Sequence, residues 1–595
     1  MPRATWTWTF DLPPDKLWPV LADTNRFNEA MGLPPYTLEE TPQPNGTVLR
    51  RGRGKAAGFT LEWEEKPYEW IEGRHFRQAR EFTKGPFRRF GPVFDLEPVE
   101  MADGKIGSKV SYALDYEPLT LTGRLFGARL ARQAGGVVEK RILEAVSFAK
   151  GERQTWFDIA PPELPAGARE RAAALAAEID RSPYGNALGG KLTELVLGGM
   201  ATDLGRLKPK KLAHDLGVST RVAVEACLAA TRAGLLTMKW DLLCTNCRGA
   251  KLTLAALSEL PRGAHCPSCN IDYDRDFEKN VELSFAPAPA VRPLGMGGYC
   301  LSGPMASPHV VVQPLLGAGE TRRIALELPA GSYRLRTLHP GATTDVEHKG
   351  GAFPGLRITA GGVEAMAPAA AGTIVFANQA GFELAALIED RTWTREALTA
   401  PEVISLQAFR ELFAAATLRP GDEAGVSQVA LLFSDLQGST ALYERVGDAA
   451  AYNMVREHFA LLASIVRDHD GAVVKTIGDA VMASFGDPAH AVRAALAMQE
   501  RIVDHDLVLK LGVHAGPTVV VTLNDRLDYF GSTVNMAARL QGQSAGGDIV
   551  LSRIVADDPA VRPLLQSHAT RQESVGLKGF NEPIAFVRVM PTAVA

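Results

Sequence analysis

Residues 429–440 read Val-Ala-Leu-Leu-Phe-Ser-Asp-Leu-Gln-Gly-Ser-Thr, an apolar run that leads directly into a polar turn. The first five residues have the length and composition of a buried strand. The turn that follows contains a glycine and opens a helix, so its backbone N–H groups could hold a phosphate. Asp435 therefore adds a carboxylate beside a predicted phosphate-binding turn.

The residues that follow predict a helix, a hairpin, a second helix and a strand. Apolar residues recur at helical spacing between positions 455 and 466. Two strand-like runs then flank the turn signature Gly478-Asp479, so a hairpin would hold Asp479 at its tip. With a helix over about residues 488–504 and a strand over residues 508–514, the order is that of a ferredoxin-like βαββαβ unit.

Five motifs in this part of the chain resemble, in the same order, those of the class III adenylate and guanylate cyclase family. They are FSDLQGST (433–440), VKTIGDAVMASF (474–485), LKLGVHAGP (509–517), LDYFGSTVNMAARL (527–540) and GLKGF (576–580). The resemblance implies a nucleotidyl cyclase domain over residues 427–595. Such a lyase converts a nucleoside triphosphate to a cyclic nucleotide, here cyclic AMP, and pyrophosphate in signal transduction.

The resemblance also implies a metal site and a transition-state site. Asp435, Asp479 and the backbone carbonyl of Leu436 would hold two Mg²⁺ or Mn²⁺ ions. Two such ions would activate the ribose 3′-hydroxyl for in-line attack on the α-phosphorus and neutralise the leaving pyrophosphate. Asn535 and Arg539 match the positions that orient the ribose and stabilise the transferring phosphoryl group, and their spacing of four residues places them on one helix face.

The base-reading pair of the family falls on Lys475 and Asp528. A lysine donor and an aspartate acceptor match N1 and the 6-amino group of adenine, whereas guanine reverses both positions. The pair therefore favours ATP as the substrate, because a reversed edge would leave polar groups unpaired. Lys578 matches the lysine that binds the triphosphate, and Lys510 stands where many relatives carry an arginine for the phosphates.

Within the family, the metal-binding aspartates come from one subunit and the base-reading and transition-state residues come from the other. A homodimer with two equivalent sites is therefore implied. Residues 518–526, TVVVTLNDR, depart from the small-residue loop that is more common in relatives. The alternatives to an adenylate cyclase are a guanylate cyclase and a non-catalytic ligand- or DNA-binding regulator that uses this fold to dimerise.

Four of the six cysteines form two CxxC pairs separated by eighteen residues. This is the spacing of a zinc ribbon, here predicted over residues 241–280. A shell of four thiolates leaves no position for water or substrate, so the expected Zn²⁺ is structural; four reduced, metal-free thiols are the alternative. The predicted ligands are Cys244, Cys247, Cys266 and Cys269.

Residues 161–240 predict a helical module with helix-turn-helix order, including a turn at Gly217 and a helix cap at Ser219. The second helix offers only Arg221 and Arg232 as cations. A DNA reader needs several cations to replace released counterions. A packing or docking module is therefore favoured over nucleic-acid binding.

The N-terminal residues 1–150 predict a strand, a helix, an antiparallel sheet and a long helix over about residues 121–150. Pro14 suits the start of the first helix, and Pro19 is expected to delay that start. This order resembles the START-like lipid-binding or polyketide cyclase superfamily, a helix-grip fold. The resemblance implies a cavity that could hold an apolar small molecule; a filled core is the alternative.

Short alternating runs separated by Gly and Pro predict a β-sandwich over residues 281–399, and a helical connector follows over residues 400–426. A chain of 595 residues implies several domains, so the predicted fold class is multidomain α+β. The domain order suggests that the upstream domains regulate the last one.

Composition and charge exclude several classes of protein. A net charge of −4 gives no bulk attraction to nucleic acid or to anionic membranes. The N-terminus lacks the apolar core of a secretory signal, and no apolar run reaches the length of a membrane span. The sequence therefore predicts a cytoplasmic protein without a membrane span.

Overall fold

A computed structural model describes residues 3–56, 58–153, 155–295, 297–300, 303–391, 397–414, 416, 418, 423–439, 444, 447–502, 507–524, 526–576 and 582–591. The helices among them are α1 Pro14–Leu21, α2 Thr24–Ala30, α3 Leu121–Ala149, α4 Ala168–Arg181, α5 Gly189–Gly198, α6 Ala201–Leu204, α7 Pro209–Leu216, α8 Thr220–Ala233, α9 Ala400–Ile404, α10 Gln407–Leu412, α11 Asp448–Asp468, α12 Pro488–Ile502, α13 Ser532–Gln541, α14 Arg553–Ala556 and α15 Arg562–Leu565.

The strands of the N-terminal and central parts are β1 Arg3–Phe10, β2 Leu38–Pro42, β3 Val48–Ala56, β4 Phe59–Glu65, β5 Glu69–Ile71, β6 His75–Arg77, β7 Arg80–Lys84, β8 Phe87–Glu100, β9 Ile106–Pro118, β10 Leu236–Leu243, β11 Ala250–Leu254, β12 Gly263–Cys266, β13 Ile271–Asp274, β14 Val281–Pro287, β15 Val310–Gln313, β16 Leu315–Leu316, β17 Thr321–Ala325, β18 Gly331–Thr337, β19 Thr344–His348, β20 Gly355–Thr359, β21 Gly362–Met366, β22 Thr373–Asn378 and β23 Leu384–Asp390. Those of the C-terminal part are β24 Ala424–Leu436, β25 Gly471–Ile477, β26 Ala480–Phe485, β27 Leu509–Leu523, β28 Arg526–Phe530, β29 Ile549–Ser552, β30 Ala569–Val575 and β31 Ile584–Met590.

A large curled antiparallel sheet and the long helix α3 form the N-terminal part of the chain. β9 pairs with β1 on one side and with β8 on the other, and α3 packs on β1 and β9. Val138 and Ile142 of α3 are buried in the same core as Phe94 of β8. The expectation for Pro19 is wrong, because α1 begins at Pro14 and includes Pro19. Pro19 is the sixth of the eight residues of α1, and in so short a helix its missing N–H removes one backbone hydrogen bond.

The N-terminal sheet continues into a later segment of the chain. Strand β15 pairs with β5, so that Val312 lies opposite Ile71, and the sheet extends through β23, β18 and β19. A second sheet of order β17-β22-β20-β21 packs against this extension, with Leu335, Leu356 and Phe376 buried between them. These two sheets form a β-sandwich, whereas β14 pairs with β10 of the preceding module.

The central module has the helix order that its sequence predicts. Helices α7 and α8 are joined by a turn in which Gly217 has φ +66°, and the side chain of Ser219 accepts a hydrogen bond from Val222 N. Strand β10 lies between β11 and β14 in a three-stranded sheet. Trp240 of β10 is buried against Phe409 of α10, so the module and the connector share one core.

The C-terminal sheet has the order β25-β26-β24-β27-β29-β31-β30, with β28 paired to β27. The elements β24, α11, β25, β26, α12 and β27 follow the predicted ferredoxin-like βαββαβ order. One face of the sheet packs on α11 and α12, and the other packs on α13 and the connector. Among the residues that the structure describes, no helix combines the length and the apolar character needed to cross a membrane.

Candidate functional site

Two carboxylates meet where β24 ends beside the turn of the β25–β26 hairpin. Ser434 pairs with Val481, which brings Asp435 next to the hairpin tip that carries Asp479. Gly478 has φ +64°, a conformation that glycine adopts without strain, and it turns the chain at this tip. The predicted hairpin therefore forms, and it holds Asp479 beside Asp435.

The charges around Asp435 oppose one another. Burial raises the pKa of Asp435, and the neighbouring Asp479 carboxylate raises it further. Lys510, directly opposite Asp435 in the β24–β27 register, and a hydrogen bond from the Gln541 side chain lower it. Oδ2 of Asp479 is buried and has no hydrogen-bond partner among the described residues. A buried carboxylate oxygen of this kind, beside a second carboxylate, fits a hard divalent cation such as Mg²⁺ or Mn²⁺.

Gln541 is the residue of this cluster that the sequence analysis missed. It is the last residue of α13, and a glycine lets that helix end close to β27: a Cβ on Gly512 would lie 2.2 Å from the backbone N of Gln541. The helical pattern of α13 predicts the helix but not where it lies on the sheet. A glycine inside a strand, here Gly512, is the sequence feature that indicates the close approach of α13 to β27.

The predicted base-reading pair forms a direct contact. Lys475 Nζ of β25 lies 2.5 Å from Asp528 Oδ2 of β28. The other carboxylate oxygen of Asp528 accepts a hydrogen bond from Tyr529 N at 2.8 Å. Asp528 is more buried than Lys475, with side-chain exposures of 11% and 37%. A hydrogen-bond donor, Lys475 Nζ, and an acceptor, the Asp528 carboxylate, are thus held side by side, and the acceptor is mostly shielded from solvent.

This contact joins strands that are not neighbours. Three strands, β26, β24 and β27, separate β25 from β28 in the sheet. The register of β24 against β27 shifts between Val426 and Val429, and a bulge of this kind bends a strand. Residues 518–523, which belong to the segment that departs from the family pattern, form the end of β27, and Arg526 begins β28. The hairpin that they build brings Asp528 to Lys475.

Asn535 and Arg539 lie on the exposed side of α13, while Ala537 packs into the core below. The helix is preceded by Gly531 at φ +138°. The two polar side chains therefore point away from the sheet of their own chain and are free to meet a ligand from outside. Lys578 lies outside the described residues.

The four cysteines of the two CxxC pairs form one cluster. Their sulfur atoms all lie within 4.8 Å of one another, and Sγ of Cys247 lies 3.8 Å from Sγ of Cys266. Tetrahedral zinc with Zn–S bonds of about 2.3 Å requires sulfur atoms roughly 3.8 Å apart. Arg248 and Asn270, each directly after the second cysteine of a pair, have positive φ, which turns the backbone around the cluster. The cluster can hold a metal ion.

The N-terminal part encloses a cavity of about 120 Å³ between α1, α2, α3 and the sheet. Apolar side chains such as Phe27, Phe94 and Ile142 form most of its wall. Two of its polar groups are engaged with protein partners: Gln78 donates to Glu65, and Asn28 donates to the carbonyl of Tyr299. The cavity is small, and the side chains of Gln78 and Asn28 already donate hydrogen bonds to partners within the protein.

Residues 422–587 match the family model described as the adenylate and guanylate cyclase catalytic domain. The C-terminal part of the chain is therefore a class III nucleotidyl cyclase domain, as the motifs predict. Residues 174–296 match a family of unknown function, DUF5939, which spans the helical module and the cysteine cluster.

The chain is also similar to single proteins over this C-terminal region. It is 34% identical over 166 residues to an uncharacterized protein of Mycobacterium tuberculosis, which covers 28% of this chain and 42% of that protein. It is 31% identical over 145 residues to adenylate cyclase 1 of Rhizobium meliloti, which covers 21% of this chain and 22% of that one. The chain thus spans about two fifths or less of the length of these curated relatives.

The chain is also similar to two solved structures. The adenylyl cyclase CyaB from P. aeruginosa is 23% identical with a TM-score of 0.27, and the match covers 29% of this chain and 98% of that one. The guanylyl cyclase Cya2 is 22% identical with a TM-score of 0.26, and the match covers 29% of this chain and 95% of that one.

Proposed function

We propose that this protein is an adenylate cyclase that converts ATP to cyclic AMP and pyrophosphate at the interface of a homodimer. The observation that carries the choice of ATP is the 2.5 Å contact between Lys475 Nζ and Asp528 Oδ2. A lysine donates to N1 of adenine and an aspartate accepts from its 6-amino group, so one adenine edge can be read by both side chains. Guanine would place a donor against the lysine and an acceptor against the aspartate.

Asp435, Asp479 and the carbonyl of Leu436 are the groups that would hold two Mg²⁺ or Mn²⁺ ions. The buried Oδ2 of Asp479, which has no hydrogen-bond partner within the described part of the chain, supports this assignment. Two such ions, when bound, lower the pKa of the ribose 3′-hydroxyl and neutralise the departing pyrophosphate. Both carboxylates must stay ionised to act as ligands, and Lys510 and Gln541 favour the ionised form of Asp435.

The remaining residues act on the nucleotide. Arg539 presents a fixed fork of donors to the phosphoryl group as charge develops on it, and Asn535 orients the ribose from the same helix face. Lys510 adds positive charge beside the metal-binding carboxylates, and Lys578 is proposed to bind the triphosphate. Positioning and charge neutralisation thus account for the chemistry that these side chains contribute.

The proposal of a homodimer follows from the direction of these groups. Asn535 and Arg539 are exposed on α13, whereas Oδ2 of Asp479 is a buried atom at the hairpin tip. A second copy related by twofold symmetry would present its own α13 to these aspartates, and each copy would receive the same contribution in return. Two equivalent sites would result.

The upstream parts are proposed to hold one structural Zn²⁺ and to regulate the cyclase. The Cys247–Cys266 sulfur distance of 3.8 Å supports zinc. The docking of α8 on the core shared with the connector supports a packing role for the helical module rather than DNA binding. An apolar ligand in the N-terminal cavity remains a proposal that the cavity size restricts to a small molecule.

The proposed function is tested with the purified full-length chain, ATP or GTP, and Mg²⁺ or Mn²⁺. We expect metal-dependent cyclic AMP formation that Asp435→Ala and Asp479→Ala each abolish, whereas Asp103→Ala, an exposed N-terminal aspartate, leaves it intact. Cyclic GMP as the main product would establish a guanylate cyclase instead. No cyclic nucleotide from the folded protein with either metal would contradict the proposal and favour a non-catalytic regulator.

A complementation experiment tests the shared site. Asp435→Ala and Arg539→Ala chains are each expected to be inactive, but mixing them should restore about a quarter of the wild-type activity. Half of the dimers would be mixed, and one of the two sites in each would be intact. Activity that stays at zero in a mixture shown to exchange subunits would contradict a site built from two chains.

A further inference from the structure

The connector helix α10 lies against the two strands that carry the predicted base-reading pair. Its residue Phe409 is buried between Trp240 of the central module and the cyclase sheet, in one core with Leu527 and Tyr529. The helix contacts α8 on one side and β25 on the other. α10 is thus part of the upstream structure and also part of the catalytic domain's core.

Gln407 binds the strand that carries Lys475. Among the residues that the structure describes, strand β25 is the edge of its sheet, so its outward N–H groups have no strand partner there. The side-chain oxygen of Gln407 accepts a hydrogen bond from Val473 N at 2.7 Å, two residues before Lys475. The amide nitrogen of Gln407 donates to Glu411 at 2.6 Å, which fixes the orientation of the side chain.

Glu411 also forms a hydrogen bond with the helical module. Its second carboxylate oxygen accepts a hydrogen bond from the Tyr184 hydroxyl at 2.6 Å. Tyr184 is buried in the helical module. A continuous chain of hydrogen bonds therefore runs from the module through Glu411 and Gln407 to the strand of Lys475.

Arg410 binds the strand that carries Asp528. Its Nη1 donates to the carbonyl of Leu527 at 3.0 Å, and its guanidinium carbon lies 5.5 Å from the centre of the Tyr529 ring. Its Nε donates to the carbonyl of Ile404 in α9 at 2.9 Å, so the side chain is held from the connector side as well. Arg410 thus contacts both residues that flank Asp528.

A third contact holds the start of β25. Arg221 of α8 forms an ion pair with Asp470 at 2.6 Å and donates to the carbonyl of Arg467 at 2.8 Å. Arg467 lies in the last turn of α11, and Asp470, with φ +60°, lies between α11 and β25. The helical module therefore contacts the residue directly before β25, and the connector contacts the strand near Lys475.

We propose that Gln407 and Arg410 are positioning residues that set the separation of Lys475 and Asp528, so that the upstream domains control purine binding through α10. The inference rests on the proposed function. Lys475 and Asp528 come from strands that are separated by three others, and α10 is one body bound to both strands. A shift of α10 relative to either strand would change the distance between donor and acceptor, and with it the fit to the adenine edge.

This arrangement differs from a contact that only stabilises the fold. A stabilising contact would change the fraction of folded protein and leave the ratio of ATP to GTP use unchanged. A positioning contact would change the KM for ATP and the purine preference with a smaller effect on kcat, because Gln407 and Arg410 contact the residues beside Lys475 and Asp528, whereas Asp435 lies on β24 and the transition-state residues lie on α13. The purine preference is therefore the decisive readout.

The test uses the full-length chain with Gln407→Met, Arg410→Met and Arg410→Lys. Gln407→Met keeps the length of the side chain and removes the acceptor for Val473 N, and Arg410→Lys retains a donor for the Leu527 carbonyl. The matched controls are Gln566→Met and Arg357→Met, both at exposed positions outside the site. KM and kcat for ATP and GTP are measured for each variant together with the thermal midpoint.

We expect Gln407→Met and Arg410→Met to lower the preference for ATP over GTP, measured as the ratio of kcat/KM, by about three- to tenfold. Arg410→Lys should recover part of this loss, and both controls should behave as the wild type. A lower thermal midpoint with an unchanged purine ratio in both methionine variants would overturn the inference. If these variants fold poorly, Arg410→Lys gives the same test with a smaller expected change.

Binding of non-hydrolysable ATP and GTP analogues in the presence of Mg²⁺, measured by calorimetry, separates this inference from the proposed function. A wild-type chain that forms no cyclic nucleotide but prefers the ATP analogue would contradict the proposed catalysis only. In that case the loss of preference in Gln407→Met would still support the positioning role, and an unchanged preference would overturn it. A wild-type chain that binds neither analogue would contradict both proposals.

Discussion

Gly512 of β27 lies against the end of helix α13, so closely that a Cβ at this position would approach the backbone N of Gln541 to 2.2 Å. This contact seats the helix that carries Asn535 and Arg539, and it brings Gln541 to Asp435. The position of three predicted or candidate site residues thus depends on the absence of one side chain.

We expect Gly512→Ala to move α13 away from the sheet, because the atom that it meets is backbone and cannot rotate away. The free energy of unfolding should fall by about 1 to 3 kcal/mol, the usual range for overpacking, and cyclic AMP formation should fall more strongly than ATP binding. Urea denaturation and steady-state kinetics measure the two effects. Gly425→Ala is the control, since no atom lies within 4 Å of its added Cβ. A Gly512→Ala chain with wild-type stability would refute the close approach.

Asp479→Asn should abolish activity and yet not reduce stability in the absence of divalent ions. The substitution removes the charge of a carboxylate whose buried Oδ2 has no partner in the segments that the structure describes, together with its repulsion of Asp435. Thermal unfolding with EDTA should give a midpoint equal to or above that of the wild type, whereas added Mg²⁺ or Mn²⁺ should stabilise only the wild type. Equal stabilisation of both chains by the metal would place the ions elsewhere.

The preference for ATP or GTP should depend on which of positions 475 and 528 carries the hydrogen-bond donor and which carries the acceptor. In the double variant Lys475→Glu, Asp528→Lys the ion pair can persist with its direction reversed, and the reversed pair matches the guanine edge. We expect this variant to prefer GTP over ATP, and each single variant to use both poorly because like charges then face each other. The measurement is cyclic AMP and cyclic GMP formation from equal mixtures of the two substrates. Unchanged preference for ATP in the folded double variant would show that these residues do not read the base.

Cys266→Ser should release zinc and weaken the contact between the cysteine cluster and the N-terminal part of the chain. The sulfur cluster lies beside contacts to the N-terminal part: Arg50 donates to the carbonyl of Ser268, and Ser268 Oγ donates to Glu40, each at 2.9 Å. We expect zinc content to fall from about one ion per chain to nearly none, with a lower thermal midpoint. Cys227→Ala is the control, because Cys227 is also buried but lies outside the cluster. Its variant should lose stability and keep its zinc.

The stability of the cyclase domain should depend on pH through His514. Burial lowers the pKa of His514 to about 4, below its ordinary value of 6.5. Because the unfolded chain then binds a proton more readily than the folded one, stability is full above about pH 6.5 and decreases as the pH falls toward 4. The contribution is on the order of 2 to 3 kcal/mol.

We therefore expect the free energy of unfolding of His514→Asn to change less than that of the wild type between pH 7 and 4.5. The control is His214→Gln, whose side chain is 90% exposed, and it should retain the wild-type pH dependence. Identical slopes for the wild type and His514→Asn would show that this histidine does not titrate as its burial requires.

Much of the local structure was predictable from the sequence. The alternation and helical spacing between residues 429 and 514 predict the βαββαβ order, and Gly478-Asp479 predicts the hairpin tip. The turn at Gly217 and the cap at Ser219 are confirmed as well. These features follow from short-range periodicity and turn chemistry, which depend on residues close together in the chain.

Other features could not be read from the pattern. The segment predicted as one helical connector forms two short helices, α9 and α10, and the N-terminal sheet continues through β15 into the sandwich. Neither the hydrogen bond from Val473 to Gln407 nor that from Arg410 to Leu527 has a sequence signal. Each depends on where two separately predicted elements come to lie.

The sequence by itself determined that the chain ends in a nucleotidyl cyclase domain and that four cysteines form one cluster, because ordered motifs and CxxC spacing are properties of short segments. Only the tertiary structure decided that Lys475 meets Asp528 across three intervening strands and that α10 binds both of their strands. The physical reason is that such contacts are fixed by the bulge of β24 against β27 and by a shared apolar core, which arise only when residues far apart in the chain pack together.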